Sequence, residues 1–381
     1  MRFFTSFLVL AAAGAVQPAL SLREEHFLYA STWMAGLCNQ LFQVLSYAQL
    51  ARLAGCNTLV LGPMYSRKSF QHSFSPLGAV DGHDVLPFSA FFDLQHYTEF
   101  WAKRGLVVIT QEEFEQRYPL VSLEADTTFL KPLREWGHGE SYTEAEVAQM
   151  AAEAKAAAQL KPSFAVDSST AARLLDYDWT TMFRFREGRA AYADLVLAVE
   201  SLKPAAQIQR VADALLALLP PHFVALHARI EPDATAEGDV LAAVAKAVAR
   251  SNEYFSSARG KGAARLVYVA SGVFAANAAN QGRAALLLSE CSTAGIELTH
   301  KELLVAQCSP ALAADFAALL PEQAALLDLH IMLQARHAEV SSLSSSFSYM
   351  LVRLRQLKHA GVAPLIDRDT QQHLGFWAWG L

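Results

Sequence analysis

The sequence has little charge and no excess of positive charge. Charged residues make up 18% of the 381 residues, and the formal net charge is −6. This balance gives no reason to expect a general binder of nucleic acid or of anionic membranes. Hydrophobic residues reach 53%, enough for a substantial core and too many for a disordered chain. A bound polyanion would therefore need a local cluster of donors.

Long apolar runs are missing except at the N-terminus. There, Arg2 precedes a mostly apolar run over residues 3–16, and small residues end the segment near Ser21. The run is shorter than the ~20 residues of a spanning helix. The pattern predicts a signal peptide over 1–21, with an uncleaved type II anchor as the alternative. Either form places the protein in the secretory pathway, in the endoplasmic reticulum or Golgi lumen or outside the cell. No Asn-x-Ser/Thr sequon is present, so N-glycosylation is not expected.

Cysteine is also scarce, with four in the chain. In an oxidising compartment these residues are expected to form disulfides. Cys38 and Cys56 lie at opposite ends of a predicted helix, ~20 Å apart, which is too far for a bond. Cys291 and Cys308 flank a predicted strand and are the better candidate pair.

The remaining pattern alternates strands and helices. In the first half, strand 27–30 is followed by a loop, a helix over 40–54 and a strand over 57–63. The second half repeats the alternation from residue 206 onwards. Two such series predict an α/β protein with two Rossmann-like, doubly wound domains facing a cleft. We place the boundary near residue 205, which gives an N-terminal domain over 22–205 and a C-terminal domain over 206–381.

Polar side chains cluster after a short buried strand in the second half. Phe223 to Leu226 reads as a parallel strand, and His227, Arg229 and Glu231 would share one face if the strand continued. Open parallel sheets bind ligands at this end of their strands. Arginine suits phosphate because its guanidinium makes charge-assisted, often bidentate bonds. The alternative is an ordinary strand end with a surface ion pair.

Two further loops have the character of ligand loops. Gly36 and Asn39 lie between the first predicted strand and its helix, where an ordinary turn is the alternative. The serine-rich stretch 341–348 runs into a final helix and could offer hydroxyls and amides to a phosphate, unless it is a solvated loop. Asp328 is expected at a helix start, where it would serve either as an N-cap or as a reader of the N–H groups of guanine.

Three of these segments together resemble one family. Gly36-Leu-Cys-Asn-Gln40 before a helix, His227-Ala-Arg229 with Glu231 and Asp233, and Asp328 followed by Ser345-Ser-Phe-Ser348 resemble motifs of the GDP-fucose protein O-fucosyltransferases and their plant relatives. The order and spacing match from about residue 27 to 356. The serine stretch is closer to the protein O-fucosyl branch than to the glycan fucosyltransferases.

The resemblance implies a GT-B glycosyltransferase that is inverting, needs no metal or other cofactor, and uses GDP-fucose as donor. The acceptor would be a hydroxyl of a secretory-pathway protein. The implied catalytic residues are Arg229 at the β-phosphate, His227 beside it and Glu231 as a possible base. The implied donor-binding residues are Gly36, Asn39, His227, Arg229, Asp328, Ser345, Ser346, Phe347 and Ser348.

Some features leave alternatives open. Ala35, Ser341 and Ser342 depart from the pattern of many relatives, which keeps a catalytically silent relative that binds nucleotide sugar or glycan as one alternative. A glycan α1,2- or α1,6-fucosyltransferase with the same donor is another. The Asp-x-Asp triplets at 176–178 and 367–369 would suit a manganese-dependent transferase instead. No nucleic-acid partner is expected, and the sequence does not define the oligomeric state.

Overall fold

The structure is a computed structural model. It describes residues 27–30, 32, 36–68, 83–119, 127–130, 149, 152, 153, 156, 163–166, 190–232, 239–257, 260–262, 264–274, 278–341 and 345–358. The predicted signal segment and both Asp-x-Asp triplets lie outside these residues.

The strands and helices follow the predicted alternation closely. The strands are β1 (Phe27–Ala30), β2 (Thr58–Leu61), β3 (Met64–Arg67), β4 (His83–Leu86), β5 (Val107–Thr110), β6 (Thr127–Leu130), β7 (Ser163–Val166), β8 (Val224–His227), β9 (Leu266–Ala270), β10 (Glu297–Thr299) and β11 (His337–Val340). The helices are α1 (Leu37–Ala54), α2 (Leu94–Ala102), α3 (Gln111–Arg117), α4 (Ala190–Ser201), α5 (Ala206–Ala217), α6 (Val240–Ser256), α7 (Ala278–Thr293), α8 (Lys301–Val305), α9 (Pro310–Ala317), α10 (Pro321–Met332) and α11 (Ser346–Lys358).

Local sequence signals set several helix ends. Gly55 ends α1 in the left-handed region at φ 71°, where its N–H reaches the carbonyls of the last turn. Thr110 begins α3 with a capping box, because its hydroxyl accepts from the Glu113 N–H while the Glu113 carboxylate accepts from the Thr110 N–H. The predicted helix over 40–54 is confirmed and ends at Ala54.

Two parallel sheets form the framework. The first has the order β5-β2-β1-β7-β6, and the second has the order β10-β9-β8-β11. All neighbouring strands within these two sheets pair in parallel. A separate antiparallel pair, β3 and β4, packs against α10. In the second sheet His227 pairs with Ala270 and Val340, so the carboxyl ends of β8, β9 and β11 are level with one another.

The second sheet is buried on both faces by different cores. Val224, Leu226, Val267 and Val269 point into an apolar cluster under α6 and α7. The alternate residues of the same strands, such as Ala225, point into a larger cluster that also includes side chains of α10 and α11. That larger cluster continues into α1 and the first sheet, so one apolar core joins the two halves. The boundary near residue 205 stays a prediction.

A buried carboxylate reinforces the junction of the two halves. Glu322, at the start of α10, is fully buried and accepts from the Arg67 Nε at 2.8 Å, the Arg67 backbone N–H at 2.7 Å and the Ser66 hydroxyl at 2.9 Å. The neighbouring Gln323 amide donates to the Ala90 carbonyl at 2.8 Å. The Glu322 bonds tie α10 to the β3 segment, which is more than 250 positions away in the chain.

The expected Cys291–Cys308 disulfide is wrong, since all four cysteines are free thiols. Cys291 is buried in the core under α6 and α7, whereas Cys308 packs against the larger core and its thiol donates to the Leu304 carbonyl. Burial raises the pKa of the Cys291 thiol to about 11. The two residues therefore belong to different packing layers.

No helix within the described residues combines the length and apolar character required to cross a bilayer.

Candidate functional site

The candidate site lies where three strands of the second sheet end. Beyond the ends of β8, β9 and β11 the chain continues into Arg229, Gly272 and Ser341. The backbone N–H of Ser341 donates to the His227 carbonyl at 2.9 Å, and the Arg229 N–H donates to the Ser341 hydroxyl at 2.7 Å. The carboxyl edge of the sheet therefore brings the predicted His227-Ala-Arg229 segment against the serine stretch.

His227 is a buried side chain at this edge of the sheet. Its side chain is largely enclosed, its Nδ1 lies 2.6 Å from the Ser348 hydroxyl, and its ring stacks on Phe347 with centroids 4.4 Å apart. Burial lowers the pKa of His227 to about 4; the nearby Glu231 carboxylate opposes this shift, and the Arg229 cation adds to it. His227 is therefore neutral near pH 7 and acts there as a hydrogen-bonding group and not as a cation.

Arg229 lies beyond the strand and is more accessible. β8 ends at His227, so the regular alternation that would place His227, Arg229 and Glu231 on one strand face stops before Arg229. The Arg229 side chain is 30% exposed, and its Nη1 donates to the Glu231 carboxylate at 2.8 Å. The ion pair considered from sequence is therefore present, and it lies at the ligand-binding edge of the sheet.

Glu231 connects this pair to the next strand. Its second oxygen accepts from the Gly272 N–H at 2.6 Å and from the Ser271 hydroxyl at 3.2 Å. Both donors follow β9 directly. The single hydroxyl hydrogen of Ser271 is shared with the Ala228 carbonyl, which is closer at 2.6 Å, so the contact to Glu231 is the weaker of the two and the short loop is fixed to the end of β8.

The serine stretch becomes the first turn of α11. The helix begins at Ser346, and the Ser345 carbonyl accepts from the Tyr349 N–H. Ser348 is fully buried against His227, whereas Ser345, Ser346 and Phe347 are half-buried at the helix N-terminus. Ser342 lies outside the described residues. The helix dipole and the free amides of a first turn favour an anion at this position.

The helix that follows the predicted loop at Gly36 packs against α11. Gly36 is the N-cap of α1, and its carbonyl accepts from the Asn39 N–H. Further along α1, Phe42 meets Tyr349 edge to face, with ring centroids 5.7 Å apart. The segment of α1 around Phe42 therefore packs against the first turns of α11. Ala35 and Asp233 are outside the described residues.

These segments match a known family as a whole. The model of the GDP-fucose protein O-fucosyltransferase family matches residues 27–358. The chain belongs to this family. Membership confirms the enzyme class expected from the sequence, a fucosyltransferase that takes GDP-fucose as its donor.

Solved structures of fucosyltransferases share the fold. POFUT1 in complex with GDP-fucose is 16% identical, with 90% of this chain and 96% of that chain covered and a TM-score of 0.50. POFUT1 in complex with GDP is 16% identical, with 91% and 98% covered and a TM-score of 0.51. The fucosyltransferase NodZ from Bradyrhizobium is 15% identical, with 86% and 93% covered and a TM-score of 0.46. The expected GT-B fold is confirmed. A search of curated protein sequences gives no significant match.

Asp328 is not where the sequence predicted it. It lies inside α10, which begins at Pro321, so its expected position at a helix start is wrong. Its side chain is buried, one oxygen accepts from the Tyr268 hydroxyl at 2.6 Å, and the other accepts from the Lys301 Nζ at 2.6 Å. Burial opposes the charge of Lys301, but the Asp328 carboxylate outweighs it and raises the pKa of Lys301. Protein groups therefore hold both oxygens that were expected to read guanine.

The sequence reasoning missed the loop after β9. Ser271 and Gly272 supply two of the three donors around Glu231, yet neither was singled out. The signal was present, because a buried strand ending in Ser-Gly beside β8 must open at the same edge of the sheet. Within the described ranges, no three His, Cys, Asp or Glu residues come together as metal ligands.

Proposed function

We propose that this family member transfers fucose from GDP-fucose to a hydroxyl of a protein in the secretory pathway, with inversion at the anomeric carbon and without a metal ion. The observation that carries the proposal is the accessible guanidinium of Arg229 at the carboxyl edge of the second sheet, where the Arg229 backbone N–H binds Ser341 of the serine stretch. The predicted signal over residues 1–21 supports the compartment, and the family supports a protein acceptor.

Arg229 would bind the β-phosphate of the donor. Cleavage of the bond between fucose and phosphate leaves new negative charge on GDP, so a fixed cation at this point stabilises the transition state more than the ground state. The Ser341 hydroxyl fixes the Arg229 backbone, which limits the motion of the side chain's base. A side chain held in place in this way stabilises the negative charge that forms on GDP in the transition state.

The first turn of α11 would bind the rest of the diphosphate. The half-buried Ser345 and Ser346 can donate hydroxyl hydrogens, and the amides of the turn point out of the helix end. His227 is neutral and stacked on Phe347, so its role is to hold this turn through Ser348. Asn39 and Gly36, in the first half of the chain, would face the sugar or the acceptor, as the family resemblance implies.

The proposed step is a single displacement. The acceptor oxygen attacks the anomeric carbon of fucose on the face opposite the phosphate, a new carbon–oxygen bond forms, and the bond to the β-phosphate breaks. GDP leaves with the bonding electron pair, and the hydroxyl proton passes to solvent. Attack from the opposite face inverts the configuration at the anomeric carbon.

Donor binding is tested with purified residues 22–381 in a thermal shift assay with GDP, GDP-fucose, UDP and ADP. A ligand at 100 times its dissociation constant should stabilise the fold by about 2.7 kcal/mol. The proposal expects a shift with the two guanosine ligands only, and an equal shift with UDP would contradict the donor assignment.

Transfer is tested with GDP-fucose and folded secretory-domain acceptors, with EDTA present and with the product configuration read by NMR. Fucosylated protein of inverted configuration supports the proposal. Transfer to free glycans but not to proteins would instead identify a glycan fucosyltransferase. GDP binding without transfer or donor hydrolysis would identify a silent relative, and strict dependence on Mn²⁺ would contradict the metal-free step.

A further inference from the structure

Two hydrogen-bond donors and one serine hydroxyl, which is shared with the Ala228 carbonyl, converge on one carboxylate at the proposed phosphate site. Glu231 receives the Arg229 guanidinium at 2.8 Å, the Gly272 N–H at 2.6 Å and the Ser271 hydroxyl at 3.2 Å. A guanidinium, a backbone amide at a strand end and a serine hydroxyl are also the donors that proteins present to phosphate. The protein's own carboxylate thus occupies an anion site.

We propose that Glu231 is an internal anion that takes the place of a donor phosphate in the free enzyme and is displaced when the nucleotide binds. The proposal rests on the proposed function of this edge as the diphosphate site. It assigns Glu231 a role in setting donor affinity, in place of the role of catalytic base that the sequence suggested for it.

Gly272 allows the Glu231 carboxylate to approach the backbone closely. A Cβ added at Gly272 would lie 3.0 Å from the Glu231 Oε1 and 3.3 Å from its Cγ, closer than nearly all real Cβ contacts. The absence of a side chain therefore lets a negatively charged oxygen reach the amide of the loop. A phosphate oxygen would approach the Gly272 amide closely for the same reason.

The position of Glu231 also permits displacement. It lies beyond the end of β8, outside the regular strand, and its side chain keeps 14% of its surface exposed. Arg229 is 30% exposed, so water can solvate both partners as they separate. Separating a fully buried ion pair would require more free energy, because water would not solvate the separated charges.

This arrangement predicts a gain of affinity when the carboxylate charge is removed. Glu231→Gln keeps the shape of the side chain, but its neutral amide competes less well for the guanidinium. The dissociation constant for GDP should fall about three- to tenfold, the range expected for a partly exposed charge-assisted pair. The gain in affinity should be smaller for GMP and absent for guanosine, because only phosphate groups bind at this site.

The test is isothermal titration calorimetry of the full mature chain at fixed ionic strength. Wild type, Glu231→Gln and Glu231→Ala are each titrated with GDP, GMP and guanosine. The matched control is Asp315→Asn, which removes the same unit of charge from a carboxylate that pairs with Arg210 at the surface, 3.1 Å away. Thermal unfolding without ligand confirms that each variant is folded.

Tighter GDP binding in both Glu231 variants, with no change in Asp315→Asn, supports an internal anion. Weaker or unchanged GDP binding in the folded Glu231 variants overturns it, because a carboxylate that merely orients Arg229 would help the ligand to bind. An equal gain in Asp315→Asn also overturns it, since the effect would then come from net charge. A wild type that binds no GDP would instead refute the proposed function, so the two failures are distinct.

Discussion

Two arginine–carboxylate clusters in this protein use the same donor set in different surroundings. At the junction of the halves, Glu322 receives the side chain and backbone N–H of Arg67 and the Ser66 hydroxyl. At the sheet edge, Glu231 receives the Arg229 side chain, a backbone N–H and a serine hydroxyl. Both arginine contacts measure 2.8 Å.

Solvent access separates the two clusters. The Glu322 side chain is 0% exposed and its partner Arg67 is 25% exposed, whereas Glu231 is 14% and Arg229 is 30% exposed, so the clusters differ at the carboxylate and not at the arginine. A sealed carboxylate that loses a partner leaves charge and donors without water, so such a cluster contributes to stability. An accessible cluster can exchange its partner for water or for a ligand. We infer that the Glu322 cluster joins the halves and the Glu231 cluster binds the nucleotide.

Arg229→Ala should have the largest effect, and it should act on catalysis. Loss of one pre-organised donor to a developing oxyanion typically costs about 100- to 1000-fold in rate. We expect a loss of that size in fucosyl transfer with little change in the free energy of unfolding, because Arg229 lies at the accessible edge. Transfer assays and urea unfolding of the same preparation measure both quantities. Wild-type turnover in this variant would remove the basis of the proposed mechanism.

Glu322→Ala should produce the opposite pattern. Removing the buried carboxylate takes away the acceptor that the Ser66 hydroxyl and the Arg67 N–H share, and it leaves the Arg67 guanidinium, which is 25% exposed, beside an apolar side chain. The Ser66 hydroxyl keeps the longer contact to the Arg67 carbonyl at 3.3 Å. The free energy of unfolding should fall by about 3 kcal/mol. At a temperature where the variant is still folded, its GDP affinity should match wild type. A stable variant with impaired GDP binding would contradict the division of roles.

His227, the buried side chain next to Arg229 and Glu231, should make the free energy of unfolding depend on pH. Its pKa is about 4 in the folded protein and near 6.5 when unfolded, so the unfolded chain binds a proton first as the pH falls. The stabilisation is complete above pH 6.5 and is lost between pH 6.5 and 4, with a total of about 3 kcal/mol. Urea unfolding across this range should show a shallower pH slope in His227→Gln than in wild type. Equal slopes would mean that His227 titrates normally.

The sequence predicted the parts of the site that follow from the strand pattern. Because β8 and β11 are both parallel and adjacent, the His227-Ala-Arg229 segment and the serine stretch had to meet at one edge. The contact between Glu231 and Gly272 follows from the same rule once β9 is known to pair with the other side of β8. Strand order is a property of the whole fold and not of a local pattern.

The two errors have physical explanations. Asp328 was read as a helix start, although Pro321 is a common first residue of a helix and marks the true beginning of α10. The disulfide was inferred from the compartment and from sequence separation, and neither shows on which face of the sheet a thiol lies. Cys291 and Cys308 belong to different cores, which only the packing reveals.

The exposed ion pair between Arg210 and Asp315 is a third case, in which the contribution to stability should be smallest. Its atoms are 3.1 Å apart, and its side chains are 59% and 37% exposed, so water screens the attraction and can replace either partner. Asp315→Asn should change the free energy of unfolding by less than about 1 kcal/mol and should leave GDP affinity unaltered. Urea unfolding of Asp315→Asn beside Glu322→Ala gives the contrast directly. If the two variants lost equal stability, exposure would not be what separates the clusters, and the assignment of the Glu231 cluster to ligand binding would lose its physical basis.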